Sequence, residues 1–238
     1  MRTILITNDD GITAGGIIRL AEAAKAFGEV WVVAPDGQRS AASHSITLHG
    51  TVDIYPHDFP VEGVQAFTCS GTPADCVRTG SLYVLPRKPD LVLSGINEGY
   101  NTATDLQYSG TAGAAFEGAF QGILSAAISE QAESCHEIAA HYLPELLAEL
   151  LTLQPAYGQI VNINIPGCPL SECRGILRDR TVSHGMFYRD SYRAVRELPG
   201  GGVRLTVEGA YNEDAEPGTD FRAVVERYIS IGLVTNIS

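Results

Sequence analysis

Three apolar β-formers in a row, Ile4-Leu5-Ile6, stop abruptly at Thr7-Asn8-Asp9-Asp10-Gly11. A short continuous run of this kind predicts a strand covered on both faces, as in a parallel sheet. Over residues 13–27 the apolar positions switch to helical spacing (Ile17, Ile18, Leu20, Ala21, Ala24, Phe27) and close at Gly28. Val30-Trp31-Val32-Val33-Ala34 is a second buried run, stopped by Pro35. Strand, helix and strand in this order predict a right-handed βαβ unit.

Further along, residues 51–56 and 64–69 alternate around a Pro60–Gly63 turn, as paired strands do. Thr72-Pro73-Ala74-Asp75 reads as a helix start, with Thr72 as N-cap, Pro73 at the first helical position and Asp75 closing a carboxylate capping box. That helix runs to about Tyr83, and the box is assigned a structural role only. Leu91–Asn97 is the next buried strand; after it come a strand at 124–129, a helix over 136–153 and a strand at 160–165, ended by Pro166.

From residue 167 the texture changes. Six arginines (Arg174, Arg178, Arg180, Arg189, Arg193, Arg196) lie among tyrosines before Pro199-Gly200-Gly201-Gly202 breaks the chain. Val203–Glu208 alternates as a half-solvated antiparallel strand should. Gly218-Thr219-Asp220 caps a helix over 221–227, and Tyr228–Ile231 is a last strand. The fold class is therefore α/β, a mostly parallel sheet with helices on both faces plus a C-terminal hairpin-rich arm. The expected division is a core over 1–166 and an extension over 167–238 whose last part returns to the core. Exposed strand edges need cover, so the arm predicts a homo-oligomer.

Composition narrows the function. A net charge of −12 over 238 residues disfavours nucleic-acid polymers and anionic membranes, which need a basic surface. It leaves room for a small phosphate ester if a bound cation supplies the positive charge. Cys69, Cys76, Cys135, Cys168 and Cys173 form no C-x-x-C pair, so buried reduced thiols are expected rather than disulfides or zinc. Arg2 is followed at once by a strand that runs into charge, unlike a secretory leader, and no apolar run has transmembrane length; a cytoplasmic protein is expected.

The chemistry concentrates where strands end. Asp9 and Asp10 stand at the carboxyl tip of a parallel strand, where open α/β sheets place ligands. Two adjacent carboxylates repel unless a cation sits between them or one takes a proton, and Mg²⁺ or Mn²⁺ prefers oxygen ligands. The plain alternative is a turn, since Asn, Asp and Gly are turn residues. No G-x-G-x-x-G follows the strand, which disfavours a dinucleotide cofactor. The loop at 35–47 offers Ser40, Ser43, Ser45 and Thr47 hydroxyls and the Arg39 guanidinium; its His44 reads as a loop anchor or surface residue rather than a base. After Asn97 and Asn101, the small residues from Ser109 to Ala115 let a helix amino terminus approach an anion, with Ser109 and Thr111 as added hydroxyls. Cation and anion pocket together equip a chain for phosphoester hydrolysis, because the cation can polarise a phosphoryl oxygen or lower the pKa of a bound water.

On these segments the sequence resembles the SurE survival-protein family of 5′-nucleotidases. The resemblance runs from Ile4–Gly11 through Ala34-Pro35-Asp36 with Arg39-Ser40, Gly71–Val77, Ser94–Asn97, Gly99, Asn101 and Tyr108–Thr111 to Gly218-Thr219-Asp220 and Ile229-Ser230-Ile231. It implies a Rossmann-like core, one divalent metal ion per subunit, and hydrolysis of nucleoside 5′-monophosphates, with 3′-monophosphates and short polyphosphate as further substrates. It also implies dimers or tetramers held by exchanged carboxyl-terminal segments. By position, Asp9, Asp10, Ser40 and Asn97 are implied as metal ligands, Asp9 and Asp10 as catalytic, and Asn101, Ser109, Gly110 and Thr111 as the phosphate cradle. The chain departs from the family pattern at Ala41, His44 and Ile231-Gly232-Leu233, none of which is a proposed ligand. Whether Asp9 only holds the ion, moves a proton or attacks phosphorus stays open. So does a reading from another class, a non-catalytic nucleotide-binding regulatory module.

Overall fold

The computed structural model describes residues 1–186, 188–212 and 214–236. From β1 (Thr3–Thr7) the chain runs through α1 (Gly15–Ala24) to β2 (Glu29–Pro35), then β3 (Ile54–Pro56), β4 (Gln65–Cys69), α2 (Pro73–Thr79) and β5 (Leu91–Glu98). It continues through α3 (Gly110–Phe120), β6 (Leu124–Glu130), α4 (Glu137–Leu150), β7 (Gln159–Ile165) and β8 (Ile176–Leu177). The hairpin β9 (Tyr188–Leu198) and β10 (Gly202–Tyr211) follows, then α5 (Asp220–Val225) and β11 (Ile229–Thr235).

Nine strands form one sheet in the order β3-β4-β2-β1-β5-β6-β7-β11-β8. Within this sheet every pairing is parallel except β3 on β4 and β11 on β7, which are antiparallel. The chain leaves β1 toward β2 on one side and later returns to lay β5 on the other, with Ile4 facing both Val30 and Leu91. That reversal opens a crevice beyond the carboxyl ends of β1 and β5, the place where such sheets bind ligands.

Alternation along each strand divides the core. Ile4, Ile6, Val32 and Leu93 pack with Ile17 and Leu20 of α1 and Ile138 and Leu146 of α4. Leu5, Val33 and Val92 point the other way, against Cys76 and Val77 of α2 and Ala114 of α3. Both faces are thus covered by helices, which is why β1 is buried along its whole length.

Four local features differ from the sequence expectation. The helix starting at Pro73 stays regular only to Thr79; its last turn widens, with the Leu85 amide bonding the Gly80 carbonyl at 2.9 Å. Between its two ends the hairpin is exposed on both faces, Tyr192 and Val207 included. Only Cys69 and Cys76 are buried thiols, whereas Cys135 is exposed and Cys168 and Cys173 are half-buried; all five are free. The returning strand is also longer than expected and continues to Thr235. Among the described residues, no helix is long and apolar enough to cross a membrane.

Candidate active site

Three chain segments meet at the crevice. The first follows β1, where the Asn8 side chain folds back to accept from the Gly11 amide at 3.2 Å and donate to its carbonyl at 2.9 Å. This closed turn fixes the Asp9-Asp10 pair at the strand tip. The second is the loop after β2, drawn onto Asp9 by a hydrogen bond from the Arg39 amide to the Asp9 carbonyl at 2.7 Å. Ser40 comes next in sequence, its hydroxyl accepting from Gln38 at 3.0 Å. The third is the end of β5. There the Asn97 amide nitrogen donates to the Gly99 carbonyl at 2.8 Å, leaving its oxygen as the end available to a cation. Asp10 Oδ2 accepts from the Glu98 amide at 3.2 Å, which joins the first segment to the third.

The helix α3 closes the site from the other face. Ser109 is its N-cap, accepting from the Ala112 amide at 3.0 Å. Gly110 permits the close approach: a Cβ there would lie 3.0 Å from Asp9 Cβ. Thr111 then donates its hydroxyl to Asp9 Oδ1 at 2.6 Å. The helix's free amides and positive dipole end therefore start within one hydrogen bond of the buried carboxylate.

Electrostatics set this pair apart from a plain turn. Burial first, with the Asp10 charge behind it, pushes the Asp9 carboxyl up to about 6 against the lowering pull of the Thr111 hydrogen bond. Burial likewise raises Asp10, opposed by the Glu98 amide and aided by the Glu98 charge. Among the described residues neither Asp9 nor Asp10 forms an ion pair. No three His, Cys, Asp or Glu side chains cluster as metal ligands among them either. The donor set is two carboxylates completed by neutral oxygens, which suits a hard divalent cation rather than a thiolate- or imidazole-loving one.

Other residues have different duties. Asn101 is buried in a network: its side chain donates to Ser129 at 2.8 Å, its amide donates to Asn164, and its carbonyl accepts from Asn162 and Asn164. It anchors the loop beside the site, with its amide nitrogen already committed. Arg39 is held by Asp36 at 2.8 Å, and Thr47 is spent on Asp75, to which both its amide and hydroxyl donate. The capping box at Thr72 and Asp75 is present, and Asp75 also ties down the serine loop.

His44 is the anchor of that loop, pairing with Glu117 of α3 at 3.1 Å, while Arg78 of α2 reaches the same carboxylate at 3.0 Å. Burial pushes Glu117 upward, but hydrogen bonds from His44 and Gln121 and the Arg78 charge outweigh it and hold the carboxyl below its ordinary value of 4.5. A depressed carboxyl adds stability above its unfolded pKa and loses it as pH falls through the folded value. Glu117→Gln is thus expected to lower the thermal midpoint at pH 7, and the deficit should shrink steadily below pH ~4.5. A deficit that stays constant from pH 7 to pH 3 in calorimetry would assign the loss to packing instead.

Similarity to known proteins is extensive. Residues 4–186 match the family model described as survival protein SurE. The 5′-nucleotidase SurE of Thermosipho melanesiensis is 39% identical over 230 residues, covering 96% of this chain and 89% of that protein. The protein of the same name from a Synechococcus strain is 41% identical over 235 residues, with the same coverage of 96% and 89%. The crystal structure of the SurE protein from Aquifex aeolicus superposes with a TM-score of 0.82 at 34% identity, covering 98% of this chain and 93% of that one.

Proposed function

The chain belongs to the SurE survival-protein family and is a 5′-nucleotidase, and we propose that it hydrolyses nucleoside 5′-monophosphates in the crevice beyond β1 and β5 with the help of one divalent cation. Asp9, Asp10, Ser40 and Asn97 would hold Mg²⁺ or Mn²⁺, and Ser109, Gly110 and Thr111 would receive the phosphate with Asn101 beside them. Nucleoside 3′-monophosphates and short polyphosphate are proposed as further substrates, since the cradle addresses phosphate rather than a particular leaving group. The observation that supports this reading most is the bond from Thr111 to Asp9, which puts an anion-binding helix end against cation-type donors.

When bound, a divalent cation supplies positive charge against the phosphoryl oxygens. The side chains and amides do the rest. The amides of the first turn of α3 donate to phosphoryl oxygens as negative charge builds on them, already oriented and partly shielded from water. Thr111 orients the Asp9 carboxylate and the Glu98 amide orients Asp10.

Phosphate release from a nucleoside 5′-monophosphate should require added Mn²⁺ or Mg²⁺ and fall to background with a chelator. Tight nucleotide binding without release in either condition would leave a binding module. The uncovered hairpin is further proposed to pack on a second copy of the chain, since an isolated two-stranded ribbon is marginal in water. Light scattering should give a dimer or tetramer, and a single-chain mass would overturn that part.

A further inference from the structure

The loop between β2 and β3 carries one proposed cation ligand, Ser40, yet none of residues 36–50 is buried. No apolar core fixes this loop, so its shape rests on a few directed contacts. Two of its residues, Ala41 and Ser43, hold the left-handed backbone region, at φ of 56° and 52°. That region costs a non-glycine residue free energy and persists only where neighbouring contacts impose it. We propose that Glu117 of α3 is a positioning residue for the cation: acting through His44, it holds the loop in the shape that presents Ser40 beside Asp9, and so sets cation affinity. This rests on the cation-assisted nucleotidase reading above.

The two oxygens of Glu117 have separate partners. Oε1 accepts from Arg78 of α2 at 3.0 Å and from Gln121 at the end of α3 at 3.1 Å. Oε2 accepts from His44 at 3.1 Å. An ionised carboxylate only accepts, so His44 Nε2 carries the proton in this bond. The bonds at Oε1 fix the carboxylate on its own helices, and the bond at Oε2 reaches out to the loop.

The loop backbone lies against the same helix. A Cβ at Gly113 would come within 2.2 Å of the Ser43 carbonyl oxygen, and the Ser43 amide donates to the Tyr108 carbonyl at 3.0 Å. Ahead of Ser40 the Arg39 amide ties the loop to Asp9; behind it, Ser43 and His44 tie the loop to α3 and its entry. Ser40 thus sits on a short span pinned at both ends. Such pinning lowers the ordering cost that cation binding would otherwise carry. His44 also stacks on Phe116 and Phe120, with ring centroids 6.4 and 5.3 Å away, so its packing and its hydrogen bond can be separated by substitution.

The test is calorimetric titration of the metal-free protein with Mn²⁺, which reads affinity and number of sites apart, beside kcat at saturating Mn²⁺. His44→Phe keeps a ring on Phe116 and Phe120 but removes the donor. Mn²⁺ affinity should then fall about tenfold, the scale of one hydrogen bond to a charged group, with the site count and the saturated kcat little changed. His44→Gln restores a donor and should recover most of the affinity. Glu117→Met should match His44→Phe, and the double variant should lose no more than either single one. Arg78→Met removes only an Oε1 bond, made by a side chain that is 43% exposed, and should leave affinity within about twofold. Unchanged affinity in His44→Phe would overturn the proposal, as would losses that add in the double variant or an equal loss in Arg78→Met. Fewer sites or a lower saturated kcat at unchanged affinity would make the contact structural only, also overturning it. A wild type that binds Mn²⁺ but cleaves no phosphoester would sink the nucleotidase reading alone; one that binds no Mn²⁺ would sink both.

Discussion

Asp9→Asn is expected to lower kcat for a nucleoside 5′-monophosphate by on the order of 10³-fold or more while the protein stays folded. The substitution keeps shape and an oxygen for the Thr111 hydroxyl, so the bond at 2.6 Å has a partner to re-form on. What it removes is charge. Asp9 is 5% exposed, next to a second carboxylate, with no ion-pair partner among the described residues. A buried carboxylate of this kind costs stability unless a cation satisfies it. The variant should therefore melt at a higher temperature than the metal-free wild type, a gain in stability bought with function. Added Mn²⁺ should raise the melting point of the wild type by binding the native state, and leave the variant unmoved. Retained activity in Asp9→Asn would remove the residue from the chemistry.

Thr111→Val carries the second large effect. Valine keeps the volume of threonine in a fully buried position but leaves Asp9 Oδ1 without its donor. The threonine hydroxyl's one proton is committed to that carboxylate, so the loss acts through the position of Asp9, and a misplaced group in an active site costs about 10²-fold in kcat. Thr111→Ser restores the hydroxyl and should recover most of the rate. A valine variant within threefold of wild type would show that the bond to Asp9 organises nothing in turnover.

Much of this site was legible because its parts are local. The apolar run Ile4-Leu5-Ile6 ending in two acids announces a strand tip, and small residues around Ser109 announce an approachable helix end. The capping box at Thr72 needs only four residues to be recognised. Contacts that join distant segments left no such trace. Arg19 and Glu130 are 111 positions apart, and His44 and Glu117 are 73 apart. Asn162 and Asn164 read only as members of the strand at 160–165, yet both side chains donate to the Asn101 carbonyl. Asp220 reads as part of a helix start, but it is 3% exposed and accepts from the Ser183 and Ala103 amides, tying the end of the chain to the core. The hairpin misled for a different reason. Alternation along Val203–Glu208 predicts one covered face, yet Val203, Leu205 and Val207 are all exposed.

Direct titration of the protein with Mn²⁺, wild type against Asp9→Asn, tests the account at its centre. One ion per chain in the wild type and none in the variant is the expected result; equal binding by both, or activity in a chelator-stripped wild type, would contradict it.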